Sequence, residues 1–183
     1  MKNIEYARGL TLIELMIAIA LLGIIIAIGV PSFSSLIDSN RLATTTNDWI
    51  ATLQYARSEA VRSRKVVTLS ALDDDISNGI RVWVDTGNNS FDADEELRVL
   101  EIDFADVALT AQQGDTFVSD VDFSFNAVGE TSVGDTLTLN LCDSREGDVG
   151  RQIELFESGI VRLTPNIACN VAEDPAAVVE GDE

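Results

Sequence analysis

The chain has 183 residues and a formal net charge of −19, from 31 acidic and 12 basic side chains, with no histidine. That length admits one core-bearing domain with an appended segment. The charge disfavours nucleic acid and anionic lipid headgroups as partners, and the lack of histidine removes the usual neutral-pH acid/base group and the commonest metal ligand.

Residues 1–9 carry Lys2 and Arg8 and have no apolar core. From Leu10 to Val30 the chain is almost wholly apolar, with Thr11 and Glu14 the only strongly polar side chains. About 21 helical residues rising ~1.5 Å each reach ~31 Å, enough to cross the hydrocarbon of a bilayer. A secretory signal peptide has a shorter apolar run ending in a small-residue cleavage site. The basic leader predicts that Met1 is cytoplasmic and the bulk of the chain lies outside, although Glu5 and Arg41 make the bias modest. Glu14 is the anomaly, because a carboxylate at mid-bilayer costs about 2.5–3.5 kcal/mol. Either it snorkels to the interface from the first helical turn, or it needs a positive partner, such as the freed amine of a neighbouring chain.

The segment Arg8-Gly9-Leu10-Thr11-Leu12-Ile13-Glu14-Leu15-Met16 resembles the class III leader of type IV pilins and type II secretion pseudopilins. The resemblance implies cleavage by a prepilin peptidase between Gly9 and Leu10, N-methylation of Leu10, and a role for Glu14 in fibre assembly. Leu10 stands where the family usually has phenylalanine. Pro31 falls where many of these proteins have a helix-bending proline, which acts by removing an amide donor.

Beyond Pro31, Leu42, Trp49, Ile50, Leu53, Ala56, Ala60 and Val61 recur at helical spacing. One helix is therefore expected from about Leu12 to Arg64, with these residues as its core face. Arg57, Arg62, Arg64 and Lys65 form a local basic stretch, read as a solvated helix end, where the helix dipole favours cations. After Lys65 the period changes to two. Val66–Leu72, Ile80–Val84, Leu97–Ile102, Val121–Phe125, Leu137–Leu141, Ile153–Phe156 and Ile160–Leu163 read as strands. They are separated by turn signals at Ser77-Asn78-Gly79, Gly87-Asn88-Asn89 and Val133-Gly134-Asp135. Asp73, Asp74 and Asp75 read as a solvated turn. The expected fold class is α+β, a long N-terminal helix packed on small antiparallel sheets.

Ala51-Thr52-Leu53-Gln54-Tyr55-Ala56-Arg57-Ser58-Glu59-Ala60-Val61, with the strand that follows, resembles the GspH/FimT family of minor pilins and minor pseudopilins. Trp83-Val84-Asp85 and Gly159-Ile160-Val161-Arg162 also resemble it, while Ala105–Ser119 is unmatched. The implied organisation is a leader (1–9), a transmembrane half-helix (10–30), an amphipathic half (31–65), a periplasmic β-rich domain (66–170) and an acidic disordered tail (171–183). The implied function is that of a minor pilin, at or near the tip of a type IV pilus, which helps assembly begin. A type II secretion pseudopilin is the first alternative, and a DNA-binding pilin of a DNA-uptake pilus the second. The implied partners are other pilins or pseudopilins, the prepilin peptidase and the inner membrane.

Three further site expectations belong to the exported domain. Cys142 and Cys169 are expected to form a disulfide in an oxidising compartment, closing a loop of about 27 residues and stabilising by roughly 3 kcal/mol. Free thiols are the alternative. Asp85, Asn89, Asp92, Asp94 and Glu96 have the oxygen-rich look of a calcium loop, but Gly87 and Ser90 break the spacing, and a hairpin with solvated acids explains the same residues. Some members of the resembled family bind DNA through a glycine-arginine-x-arginine motif. Here the matching place reads Gly159-Ile160-Val161-Arg162 amid acidic neighbours, which argues against nucleic acid. No arrangement of nucleophile and base supports catalysis, and no cofactor is expected.

Overall fold

The structure is a computed structural model that describes residues 11–87, 90–102 and 107–169, and the backbone alone for residues 30–32. The leader with Gly9 and Leu10, the side chain of Pro31, Asn89 and the acidic tail lie outside the described residues. The chain divides into two units, Met1–Ile37 and Asp38–Glu183.

Among the described residues one helix, α1, runs Leu12–Ser63, within a residue of the expected span. In the first unit its apolar side chains are exposed, from Leu12 at 77% to Ile28 at 69%. This stretch is long and apolar enough to cross a membrane. In the second unit the helix buries Leu42, Thr46, Trp49, Leu53, Ala56 and Ala60. Their alternating four- and three-residue spacing keeps one stripe facing inward. Thr46 is tolerated there because its hydroxyl donates to the Leu42 carbonyl, at 2.6 Å. Val61, expected in the core, is instead 47% exposed; it lies beside Ala60, off the stripe. Ile50 is only half-buried and flanks the core.

Among the described residues nine strands follow: β1 Val67–Leu72, β2 Asp75–Val84, β3 Glu96–Glu101, β4 Ala108–Gln113, β5 Thr116–Val118, β6 Asp122–Phe125, β7 Leu137–Cys142, β8 Gly147–Leu155 and β9 Val161–Cys169. They form two antiparallel sheets, ordered β3-β2-β1-β6 and β5-β4-β7-β8-β9. Alternate residues of both sheets, among them Leu69, Val82, Phe125, Leu139 and Ile153, join the helix stripe in one core.

Two strand expectations are corrected. Ser77-Asn78-Gly79 is not a turn but lies inside β2. The reversal comes earlier, at Asp73 and Asp74, whose φ values of 53° and 59° suit the left-handed positions of a tight hairpin. The unmatched middle contains the β4–β5 hairpin, whose alanines and glutamines give a weak strand signal. Its buried residues nevertheless alternate: Val107, Leu109 and Ala111. β9 also runs past Pro165, which an edge strand accommodates.

Candidate functional site

At its start, α1 carries a reciprocal cap. The Glu14 backbone N–H donates to the Thr11 hydroxyl at 3.3 Å, and the Thr11 N–H donates to the Glu14 carboxylate at 3.5 Å. This is the Ser/Thr-x-x-Glu capping box, which satisfies two otherwise orphaned donors of a helix end. The carboxylate that sequence reading left between snorkelling and a partner amine therefore has a local role as well. It lies among exposed apolar neighbours, Ile13 and Leu15.

At the far end of α1, Arg62, Arg64 and Lys65 are exposed, as a solvated helix end requires, whereas Arg57 departs from that reading. Its Nε donates to the Gly129 carbonyl at 2.9 Å and its Nη2 to the Ser158 carbonyl at 3.2 Å. These acceptors belong to two turns built alike. In one, the Gly129 N–H donates to the Asn126 carbonyl and the Asn126 N–H to the Glu130 carbonyl. In the other, the Gly159 N–H donates to the Phe156 carbonyl and the Phe156 N–H to the Ile160 carbonyl. Each is a tight turn closed by a left-handed glycine, with φ of 84° at Gly129 and 72° at Gly159. A Cβ at Gly159 would collide with the Gly129 carbonyl, so the turns abut. The Thr131 N–H adds a bond to the Glu157 carbonyl, at 2.8 Å. One guanidinium thus ties the helix to a turn associated with each sheet. Sequence reading missed this, and the signal available was the pair of glycines, each three residues after a turn start.

Cys142 and Cys169 are joined by a disulfide, as expected, with Cα atoms 5.8 Å apart. The bridge passes over β8 at Gly150, where a Cβ would clash with both sulfurs. Beside it, Asp143 is buried and holds Arg145 through several hydrogen bonds, while Arg145 also donates to the Ser39 hydroxyl at 2.8 Å. Burial works to raise the Asp143 pKa, but the side-chain and backbone hydrogen bonds and the charge of Arg145 outweigh it, and the net shift is downward. This second strap fastens the β7–β8 loop to the start of the packed half of α1.

Among the described residues, the calcium candidates Asp85, Asp92, Asp94 and Glu96 are not gathered. Glu96 pairs with Arg81 at 3.2 Å, Asp85 accepts from the Gly87 N–H at 2.7 Å, and Asp94 is exposed. The Asp92 carbonyl accepts from the Glu95 N–H. Among the described residues no three metal-ligating side chains come together. The loop is held instead by Phe91, over which Arg81 stacks at 4.3 Å and against which Trp83 packs edge-on at 6.1 Å. Arg162, the remaining arginine of the resembled DNA motif, is committed to Glu154 at 2.7 and 2.9 Å.

Residues 6–30 match a prokaryotic N-terminal methylation motif. Residues 45–159, more than half of the chain, match the family described as Type II transport protein GspH. No curated protein matches the chain. Among solved structures, the fold is similar to the type IV minor pilin FimU of Pseudomonas aeruginosa strain PAO1. In one crystal form the TM-score is 0.57 at 27% identity, covering 69% of this chain and 90% of that one. In a second form it is 0.54 at 26% identity, covering 68% and 93%. It is also similar in fold to the minor pseudopilin EpsH from the type II secretion system of Vibrio cholerae, with a TM-score of 0.53 at 15% identity, covering 71% and 99%. The methylation motif and the apolar helix make it a membrane-anchored protein with a soluble domain. Taken with the helix, the two sheets and the turns that Arg57 joins, the matches establish that the chain belongs to the GspH family, as a minor type IV pilin or a minor pseudopilin.

Proposed function

We propose that this protein is a minor pilin of a type IV pilus, placed at or near the tip, where it helps assembly begin. The observation that carries the choice of fibre is the likeness to FimU, at 27% identity over 69% of the chain. In this reading a prepilin peptidase cuts between Gly9 and Leu10, and Leu10 is then N-methylated. The inner membrane holds the subunit until its exposed apolar helix packs with those of other pilins, the domain lying in the periplasm. Glu14 then exchanges its contact with the Thr11 N–H for the amine of a neighbouring subunit, a stronger charge-assisted bond in a medium without water.

The test is Glu14→Ala in cells. The variant is expected to insert in the membrane at wild-type level and to be missing from sheared fibres; normal incorporation sinks the assignment. The pseudopilin reading is favoured by the GspH family match. Deleting the gene separates the two. Loss of surface pili with normal exoprotein secretion supports the pilus, and the reverse supports the pseudopilus.

A further inference from the structure

The outer face of the first sheet carries a cleft of about 360 Å³, lined in part by Thr68, Trp83, Asp85, Asp122, Ser124 and Ser132. Register explains the grouping. Thr68 lies opposite Trp83 on one side and Ser124 on the other, so their side chains share the face that Val67 and Leu69 do not use. Ser132 is fixed beside them, its N–H donating to the Ser124 carbonyl and its hydroxyl accepting from the Ser124 N–H, both at 2.9 Å. Trp83 is only 4% exposed and packs edge-on to Phe91. The cleft therefore offers no open ring for stacking a sugar or a base.

What it offers is negative charge and hydroxyl oxygens. Arg81 projects from the same strand face, two residues before Trp83, but is held by Glu96 and Phe91. Among the described residues no basic side chain pairs with Asp122. Asp122 is an exposed residue; partial desolvation, and then the charge of Asp120, push its carboxyl above the usual carboxylate range. A carboxylate so placed is relieved by an incoming cation.

We infer that this cleft is a socket for one basic side chain, lysine or arginine, presented by a neighbouring subunit of the fibre. The partner's identity rests on the fibre reading above, whereas the chemistry of the socket does not. Thr68, Ser124 and Ser132 supply hydroxyl acceptors for an ammonium or guanidinium, and Asp122 and Asp85 supply the charge. Such complementary charge sets which partner docks and in what register.

The first arm of the test uses the full chain in nonionic detergent, followed by amide NMR at low salt. The probes are Nα-acetyl-lysine methylamide, its arginine counterpart and the uncharged norleucine analogue. The cationic probes are expected to shift signals around Thr68, Trp83, Asp122, Ser124 and Ser132, and norleucine to leave them in place. Asp122→Asn should weaken binding about tenfold, and Asp135→Asn, on a turn outside the cleft, should not. Equal response to norleucine, shifts spread over the acidic surface, or calcium alone occupying the cleft at lower concentration than either probe would overturn the socket. The second arm compares Asp122→Lys with Glu14→Ala in fibres. Asp122→Lys at wild-type occupancy overturns the socket and leaves the fibre reading standing, while occupancy reduced about tenfold supports both. Normal incorporation of Glu14→Ala removes the fibre reading, and the probe arm then decides the socket alone.

Discussion

Arg57 illustrates how little a residue's sequence neighbourhood says about its work. Its basic neighbours made it look like surface charge at a helix terminus, yet its acceptors are carbonyls 72 and 101 residues further on. No local pattern encodes such a partner. Truncation leaves both carbonyls without this donor, and hydrogen bonds from a charged group contribute about 1.5–3 kcal/mol. Arg57→Ala is expected to lower unfolding free energy by that amount in a denaturant titration. Arg57→Lys should recover less than half, because one ammonium cannot reproduce the two diverging donors of the guanidinium. A loss below about 0.5 kcal/mol, the scale of an ordinary surface change, would place Arg57 back on the solvated surface.

Among the elements, the helix was the most legible, since its apolar run and its three- and four-residue spacing are both strong periodic signals. Leu42, Trp49, Leu53, Ala56 and Ala60 are buried as the spacing predicts, and Val61 failed because adjacency to the stripe is not membership of it. The strands with valine, isoleucine and phenylalanine were recognised, although β8 and β9 extend well beyond their apolar cores. The β4–β5 hairpin was not, because Ala111 and Gln112 carry too little strand propensity to mark it. The disulfide was legible from compartment logic, but its dependence on β8 was not. Gly150→Ala would drive a methyl group into both sulfurs. Alkylation of unfolded, unreduced protein is expected to find free thiols in this variant and none in the wild type; full oxidation in both would show that β8 can shift aside.

For the molecule as a whole, an excess of 19 negative charges makes acidification act on many groups at once, so individual carboxylates are best read from differences between variants. Asp143 has a folded pKa below its ordinary value of 3.8. Its stabilisation is complete above that value and is lost as pH falls through the folded one. Asp143→Asn should therefore melt well below the wild type at pH 7, with the gap closing in strong acid. Asp122 is shifted the opposite way. Its favourable contribution exists below 3.8 and disappears as pH rises through the higher folded value, so Asp122→Asn should melt above the wild type at pH 7. Thermal scans at neutral and acid pH read both signs, and equal offsets at the two pH values would contradict the electrostatic account. The residues proposed to act in assembly stand out because a glycine, an isolated acid and an apolar span stand at fixed spacing. The cap that engages Glu14 could also be read from Thr11, three residues earlier, once Glu14 is treated as a helix-terminal residue rather than as a membrane charge.

The double attachment of Arg57 also bears on timing. A chain is made from its N-terminus, so the helix exists before the carbonyls that receive it. The second acceptor lies 101 residues later, which corresponds to roughly 5–20 s of synthesis at ordinary elongation rates. Until Phe125 completes the first sheet, and β9 the second, Trp49, Leu53 and Ala56 lack part of their cover. The subunit therefore closes its core only once β8 and β9 are made, and part of its core-facing stripe stays bare until those strands arrive.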